Sequence, residues 1–265
     1  MHVAIDDTYG PEIATPSQYV TGARRTYVAV EFPDQQVAEI RTSVRQCLDS
    51  LPEMIGIGAA EFHFVDIYNR KGVWENAPTG ANLALFSFFA NIYCHYNWRV
   101  HVQTVDERTL KDHNVSFSEK IDDLDLAHRD GQALLFLLVK MKGRLSPPSS
   151  ALTVRIDAGR RKPGTEFAAG VFREWGDLYD GRFDASDAEP LIQIADFLAF
   201  AINRSTHLCL KDKLTDTDRW FLNLIGSMNI RSDDLIKKVL KGGVTTADFD
   251  AVHEADRRAK GLKIP

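Results

Sequence analysis

Cysteine is scarce in this chain, with three residues in 265, at Cys47, Cys94 and Cys209. They are odd in number, widely spaced and contain no CxxC pair. That argues against a thiolate zinc site and against a disulfide framework, and it fits a reducing cytoplasm. Long apolar runs are missing as well. The longest, residues 133–139 and 194–202, fall well short of the ~20 residues a membrane helix needs, so no membrane association is expected. No basic segment followed by an apolar run marks the N-terminus, and a secretory signal is not expected. Nor is there an excess of positive charge: the net charge is −5 and the isoelectric point is near 5.9. Nucleic-acid binders usually carry a basic excess, so a nucleic acid would have to be met by a local patch. Repeats and low-complexity tracts are absent.

What is there suits a folded α/β protein. Apolar residues make up 44% and charged residues 26%, enough for a real core and too few charges for wholesale disorder. Residues 2–7 read as a strand ending in the turn Thr8-Tyr9-Gly10, and residues 26–32 as a second strand. Pro33-Asp34 opens a helix to about Asp49, with Val37, Ile40, Val44 and Leu48 at helical spacing. The pattern then predicts a strand at 61–67, a buried helix at 83–96 and a strand at 98–105. It continues with a long helix or broken pair at 116–141, a strand at 151–157, a helix at 190–203 and two helices within 215–242. Residues 11–23, 69–82 and 146–150 read as loop or linker, and residues from 251 onward as a charged tail. This order predicts a mixed five-stranded sheet flanked by helices, with residues 1–205 as the main domain and 206–265 as a helical extension packed on it.

The chemical signal is where certain acids stand. Asp6 follows Ala4-Ile5, and Asp157 follows Leu152-Thr153-Val154-Arg155-Ile156, both at the C-terminal end of a strand, where open α/β sheets bind ligands. Asp196 interrupts a segment, 190–202, that is apolar on every side except at Gln193 and Asp196. Such a helix is expected to be buried, and a lone buried carboxylate is costly unless paired, neutralised or bound to a metal. Gln193 and Asp196 stand three apart and share a helical face. Glu61 and His63 alternate by two, and on a strand both would project from one face, where they could ligate a metal or move a proton. Asp106 ends another strand candidate and is a further possible ligand. Arg160, Arg161 and Lys162 follow Asp157 and could meet a phosphate, while Tyr68 and Trp74 could stack on a base. Oxygen ligands without a cysteine cluster favour Mg²⁺ or Mn²⁺, and several acids from different elements are what metal-assisted phosphodiester hydrolysis requires.

Several of these motifs also resemble a known family. Asp6-Asp7-Thr8-Tyr9-Gly10 is similar to the Asp-Glu-Ser-Gly opening of the domain of unknown function 3800 family, with Asp7 in place of the glutamate and Tyr9 inserted before the glycine. Gln193-Ile-Ala-Asp196, preceded by Ser186, resembles its Gln-x-x-Asp motif. Ile156-Asp157 with the following arginines, and Glu61-Phe-His63, resemble its internal acid elements. The resemblance spans residues 3 to about 205. It implies a ribonuclease H-like sheet with acids on the first strand, a later strand and the last helix, the middle place falling to Asp157 or to Asp106. It also implies metal ligation by Asp6, Asp7, Asp106, Asp157 and Asp196, with Glu61 and His63 assisting and Gln193 behind them. Two activities follow as expectations: a metal-dependent nuclease, or a degenerate module that binds nucleic acid or protein without catalysis.

Overall fold

The computed structural model describes all residues except 11–15, 21, 23, 114–119, 122–123, 146–149, 160, 237–244 and 265. Its strands are β1 (His2–Tyr9), β2 (Arg25–Phe32), β3 (Val100–Val105), β4 (Lys120–Ile121), β5 (Leu124–Asp125), β6 (Leu152–Asp157) and β7 (Tyr179–Asp184). Five of them form one sheet in the order β3-β2-β1-β6-β7, and β4 and β5 pair separately. Within the large sheet β2 runs antiparallel to both β1 and β3, while β1, β6 and β7 are mutually parallel. The C-terminal ends of β1, β3, β6 and β7 therefore share one edge.

The helices are α1 (Asp34–Ile55), α2 (Phe64–Asn69), α3 (Ala81–Tyr96), α4 (Glu107–His113), α5 (Arg129–Arg144), α6 (Pro190–Leu208), α7 (Asp216–Ser227) and α8 (Thr246–Ala259). No helix among the described residues is long and apolar enough to cross a membrane. Successive strand side chains point to opposite faces, and the sheet separates two cores accordingly. Ala4, Val28, Val30 and Val100 pack with residues of α1, α3 and α6. Val3, Ile5, Ala29, Leu152, Val154 and Ile156 pack with α5. Helix α6 lies along β1 and β2, starts at Pro190 in its first turn and is capped by Glu189, whose side chain accepts the Leu191 N–H. Arg41 of α1 holds the same Glu189 through Nε at 2.9 Å.

Several expectations are corrected. Residues 61–67 are not a strand: Glu61 to His63 form a bend, and α2 begins at Phe64. Phe62 and Phe64 are both buried in the α6-side core, so their alternation reflects aromatic packing from a turn. The fifth strand of the sheet is β7, in a stretch for which the sequence pattern predicts no element. Of the long helix or broken pair expected at 116–141, residues 116–119 and 122–123 lie outside the described residues, β4, β5 and a turn occupy 120–121 and 124–127, and the helix is α5, from Arg129. Of the two helices expected in 215–242, α7 is one; residues 237–242, where part of the other would fall, lie outside the described residues, and a further helix, α8, runs into the stretch expected as a charged tail from 251 onward. The linker at 146–150 lies mostly outside the described residues. Phe221 and Ile225 of α7 enter the core beneath α6, so α7 packs against the sheet-bearing part of the chain, whereas α8 has no buried residue.

Candidate functional site

Register sets the first two acids side by side. Ile5 pairs with Ile156 across the parallel β1–β6 ladder, so Asp6 and Asp157 are the next residues on adjacent strands. Each follows an isoleucine of the α5-side core and so projects toward α6. Asp196 descends from α6 on that same side. Burial raises the pKa of Asp6 well above the usual carboxylate value, and the negative charges of Asp196, Asp157 and Asp7 raise it further. Asp157 is raised by burial and by Glu61 and Asp196, against a lowering hydrogen bond from Gly159. Three acids from three elements thus share one electrostatic neighbourhood.

Their hydrogen bonds are one-sided. Oδ1 of Asp6 accepts the Asp7 N–H at 2.8 Å. Oδ2 of Asp157 accepts the Gly159 N–H at 3.0 Å. Oδ2 of Asp196 accepts the Phe64 N–H at 3.1 Å and stands 3.1 Å from Nδ1 of His63. In each carboxylate the other oxygen accepts nothing from the described residues. As the side chains stand, no group of three or more His, Cys, Asp or Glu residues among those described is gathered closely enough to hold a metal ion.

Glu61 and His63 reach the site from the bend before α2. Ser186 Oγ donates to Glu61 Oε2. Gln193, wholly buried, straps this bend to the loop before α6: its Oε1 accepts the Phe62 N–H at 3.0 Å and its Nε2 donates to the Ser186 carbonyl at 2.7 Å. Asp196 supplies the acceptor that the N-terminus of α2 lacks from its own residues. The Asp196 contact pushes the His63 imidazole up to about 9, with Asp66 and Glu61 adding to the effect, so His63 is a cation at neutral pH.

Other expected site residues lie apart. Asp7 alternates with Asp6 and faces α5, where burial and Asp130 raise it to about 6 against the opposing charge of Arg25. Asp106 follows edge strand β3, two strands from β1, and caps α4: its Oδ1 accepts the Arg108 and Thr109 N–H groups at 2.9 and 3.1 Å. It does not figure among the charges acting on Asp6. Arg160 lies outside the described residues. Arg161 places its guanidinium 4.9 Å from the Phe183 ring centroid, and Lys162 is exposed beside it. Trp74 is buried against Phe62, and Tyr68 packs edge-on to Phe86 and Phe221, so neither offers a free face to a base.

Sequence reasoning missed Asp184. It pairs in register with Asp157 across β6 and β7, is raised by burial and is held by Arg155 Nε at 2.9 Å. Its only signal was a second strand-terminal acid, in a segment too polar to read as a strand. Comparison with known proteins adds no relative: no family model, curated protein or solved structure matches the chain.

Proposed function

We propose that this protein is a divalent-metal-dependent phosphodiester hydrolase of ribonuclease H-like architecture, acting as a nuclease. The observation that carries the proposal is the convergence of the charges of Asp157 and Asp196 on buried Asp6, each of the three carboxylates having one oxygen that accepts nothing from the described residues, at the C-terminal edge of a parallel β1–β6 pair. The strand order, with β2 alone antiparallel, supports the same architecture, because it puts β6 beside β1 and so favours Asp157 over Asp106 for the middle place. A carboxylate whose proton affinity is raised by burial and by neighbouring carboxylates is a group whose ionisation a dication would favour.

Asp6, Asp157 and Asp196 would hold Mg²⁺ or Mn²⁺, and Glu61 would complete the set; all are hard oxygen donors. Such an ion, when bound, supplies Lewis-acid polarisation and a lowered pKa of water. The chain's own contributions are distinct. His63, held at Nδ1 by Asp196, keeps Nε2–H as a proton donor for a leaving oxygen. Gln193 and Ser186 fix the bend that carries Glu61 and His63. Arg161 and Lys162, and Arg160 before them in the sequence, would provide cations for phosphate after β6. The three free thiols agree with a cytoplasmic setting.

The test is cleavage of single- and double-stranded DNA and RNA with Mg²⁺ or Mn²⁺, comparing wild type with Asp6→Asn and Asp196→Asn. Metal-dependent cleavage lost in both variants supports the reading; equal inertness of all three proteins across these substrates ends it. A second reading, a module that binds nucleic acid or protein without catalysis, draws on the commitment of Asp196 to His63 and to α2. It predicts binding that survives chelation and both substitutions.

A further inference from the structure

A second polar cluster lies at the same end of β1, beyond the acids. Arg24, on the connection from β1 to β2, is 8% exposed. Its Nη2 donates to Asn203 Oδ1 at 2.6 Å and meets His207 Nε2 at 3.3 Å, but its Nε is buried with no acceptor among the described residues. The field of Asp106 reaches Arg24, yet no carboxylate among the described residues forms an ion pair with it. Among the described residues, then, this buried guanidinium has no acceptor at Nε and no ion-pair partner, which is costly unless something else supplies them.

The surroundings are built around that side chain. A Cβ at Gly10 would stand 3.1 Å from Cγ and 3.3 Å from Nε of Arg24, so glycine is what lets the arginine lie against the strand end. Asn203 is itself anchored, its Nδ2 donating to Thr8 Oγ1 at 3.0 Å and to the Tyr9 carbonyl at 3.2 Å. Because Arg24 Nη2 can only donate, Nε2 of His207 accepts and Nδ1 carries the proton. Arg204, whose charge also reaches His207, lies 4.6 Å over the Tyr68 ring; its Nη2 donates to Tyr68 Oη at 3.1 Å and stands 3.7 Å from Asp218, while its Nε is buried without an acceptor among the described residues. Burial and the two guanidiniums push His207 down to about 4, keeping it neutral.

We infer that Arg24, His207 and Arg204 line a subsite for a phosphate oxyanion, taking the phosphate of a polynucleotide next to the one at the acid cluster. An oxyanion would supply the acceptor that Arg24 Nε has not found among the described residues, and a negative charge in ion-pair range. Asn203 is seven residues beyond Asp196, roughly 10 Å along α6, and Thr8 is two residues beyond Asp6, about 7 Å along β1. A short stretch of extended nucleic acid spans that interval. The polynucleotide rests on the phosphodiester reading above; the oxyanion subsite does not.

Inorganic phosphate, titrated in EDTA at constant ionic strength, is expected to raise the thermal midpoint saturably and to broaden its phosphorus NMR line. Arg24→Gln is expected to weaken binding about tenfold or more, the loss of a charge-assisted hydrogen bond. Arg204→Gln, at a partly exposed position, weakens it severalfold and decides the question if Arg24→Gln fails to fold. A phosphorylated trinucleotide that displaces phosphate supports the polynucleotide assignment, and failure to displace it overturns that part in favour of a free anion. No saturable shift in wild type, or equal shifts in wild type and the folded variants, overturns the subsite. Because EDTA removes divalent ions, phosphate binding alike in wild type and Asp6→Asn, with no Mn²⁺ binding by either, sinks the metal reading and leaves the subsite standing.

Discussion

Asp6, Asp7 and His63 each carry a displaced proton affinity with an identifiable cause, and each makes a different demand on stability. An acid whose folded-state pKa is raised holds its proton more tightly native than unfolded, so its contribution to stability falls as pH rises from the ordinary carboxylate value through the raised one. For Asp7 that window runs from 3.8 to about 6. Asp7→Asn should therefore stabilise the protein at neutral pH by on the order of 2 kcal/mol and by nothing below pH about 3, read from urea unfolding at a series of pH values. Asp6→Asn should behave in the same sense over a window that extends further upward, because burial and the charges of Asp196, Asp157 and Asp7 raise it, whereas Arg25 opposes the rise of Asp7. A loss of stability at neutral pH in either variant would contradict the assignment. His63 has the opposite sign. Raised to about 9 by Asp196, it contributes stability that is fully present below 6.5 and lost as pH climbs toward 9. His63→Gln should lower the unfolding midpoint at pH 6 and match wild type above pH 9, a modest effect because the imidazole is half exposed.

At the scale of elements, α6 and the bend before α2 act as one piece. Gln193 joins them through two hydrogen bonds. Gln193→Leu would leave the Phe62 N–H and the Ser186 carbonyl without their partner, at a cost of about 3 kcal/mol. Backbone amides of residues 62–64 should then lose hydrogen-exchange protection; unchanged protection there would mean that the strap is not needed. Much of α6 was legible in the sequence because Gln193 and Asp196 are the only polar residues in its apolar stretch 190–202, and burying them required a reason. Asp157 was legible as an acid ending an apolar strand. Asp6 was legible after Ala4-Ile5, but β1 does not turn at Thr8 as expected and runs on to Tyr9, paired with β2, so only the ladder with β6 stops beside Asp6. The side of the sheet that Asp7 faces was implied by the period of two, but the motif Asp6-Asp7 drew both acids to one site. Strand β7 was hidden because its α6-facing side chains, Asp180, Arg182 and Asp184, are charged and pair with Arg155 or with one another. Only Phe183 shows the alternation. The Glu61–Ile67 segment failed for the converse reason: Phe62 and Phe64 mimic a strand's period while packing edge-on against Phe89.

Across the whole molecule, two apolar cores on either side of one sheet fix the relative positions of residues 6, 157 and 196, which lie far apart in the chain. The C-terminal helix α8 is held differently. It contributes no buried residue and is fastened by Arg257 to Asp112, by Asp250 to Ser17 and by the Tyr19–His253 stack. Amides of α8 should therefore exchange well before those of α6, and Arg257→Ala should speed exchange in α8 without moving that of α6. Simultaneous exchange of both helices would show that they unfold together. The site's identity as a cation site is the central claim, and Mn²⁺ titration followed by electron paramagnetic resonance reads it without any substrate. Wild type should bind Mn²⁺ saturably, with binding abolished or greatly weakened in Asp6→Asn and Asp196→Asn. Wild type that leaves the free-ion signal unchanged, or variants that bind as wild type does, would contradict it.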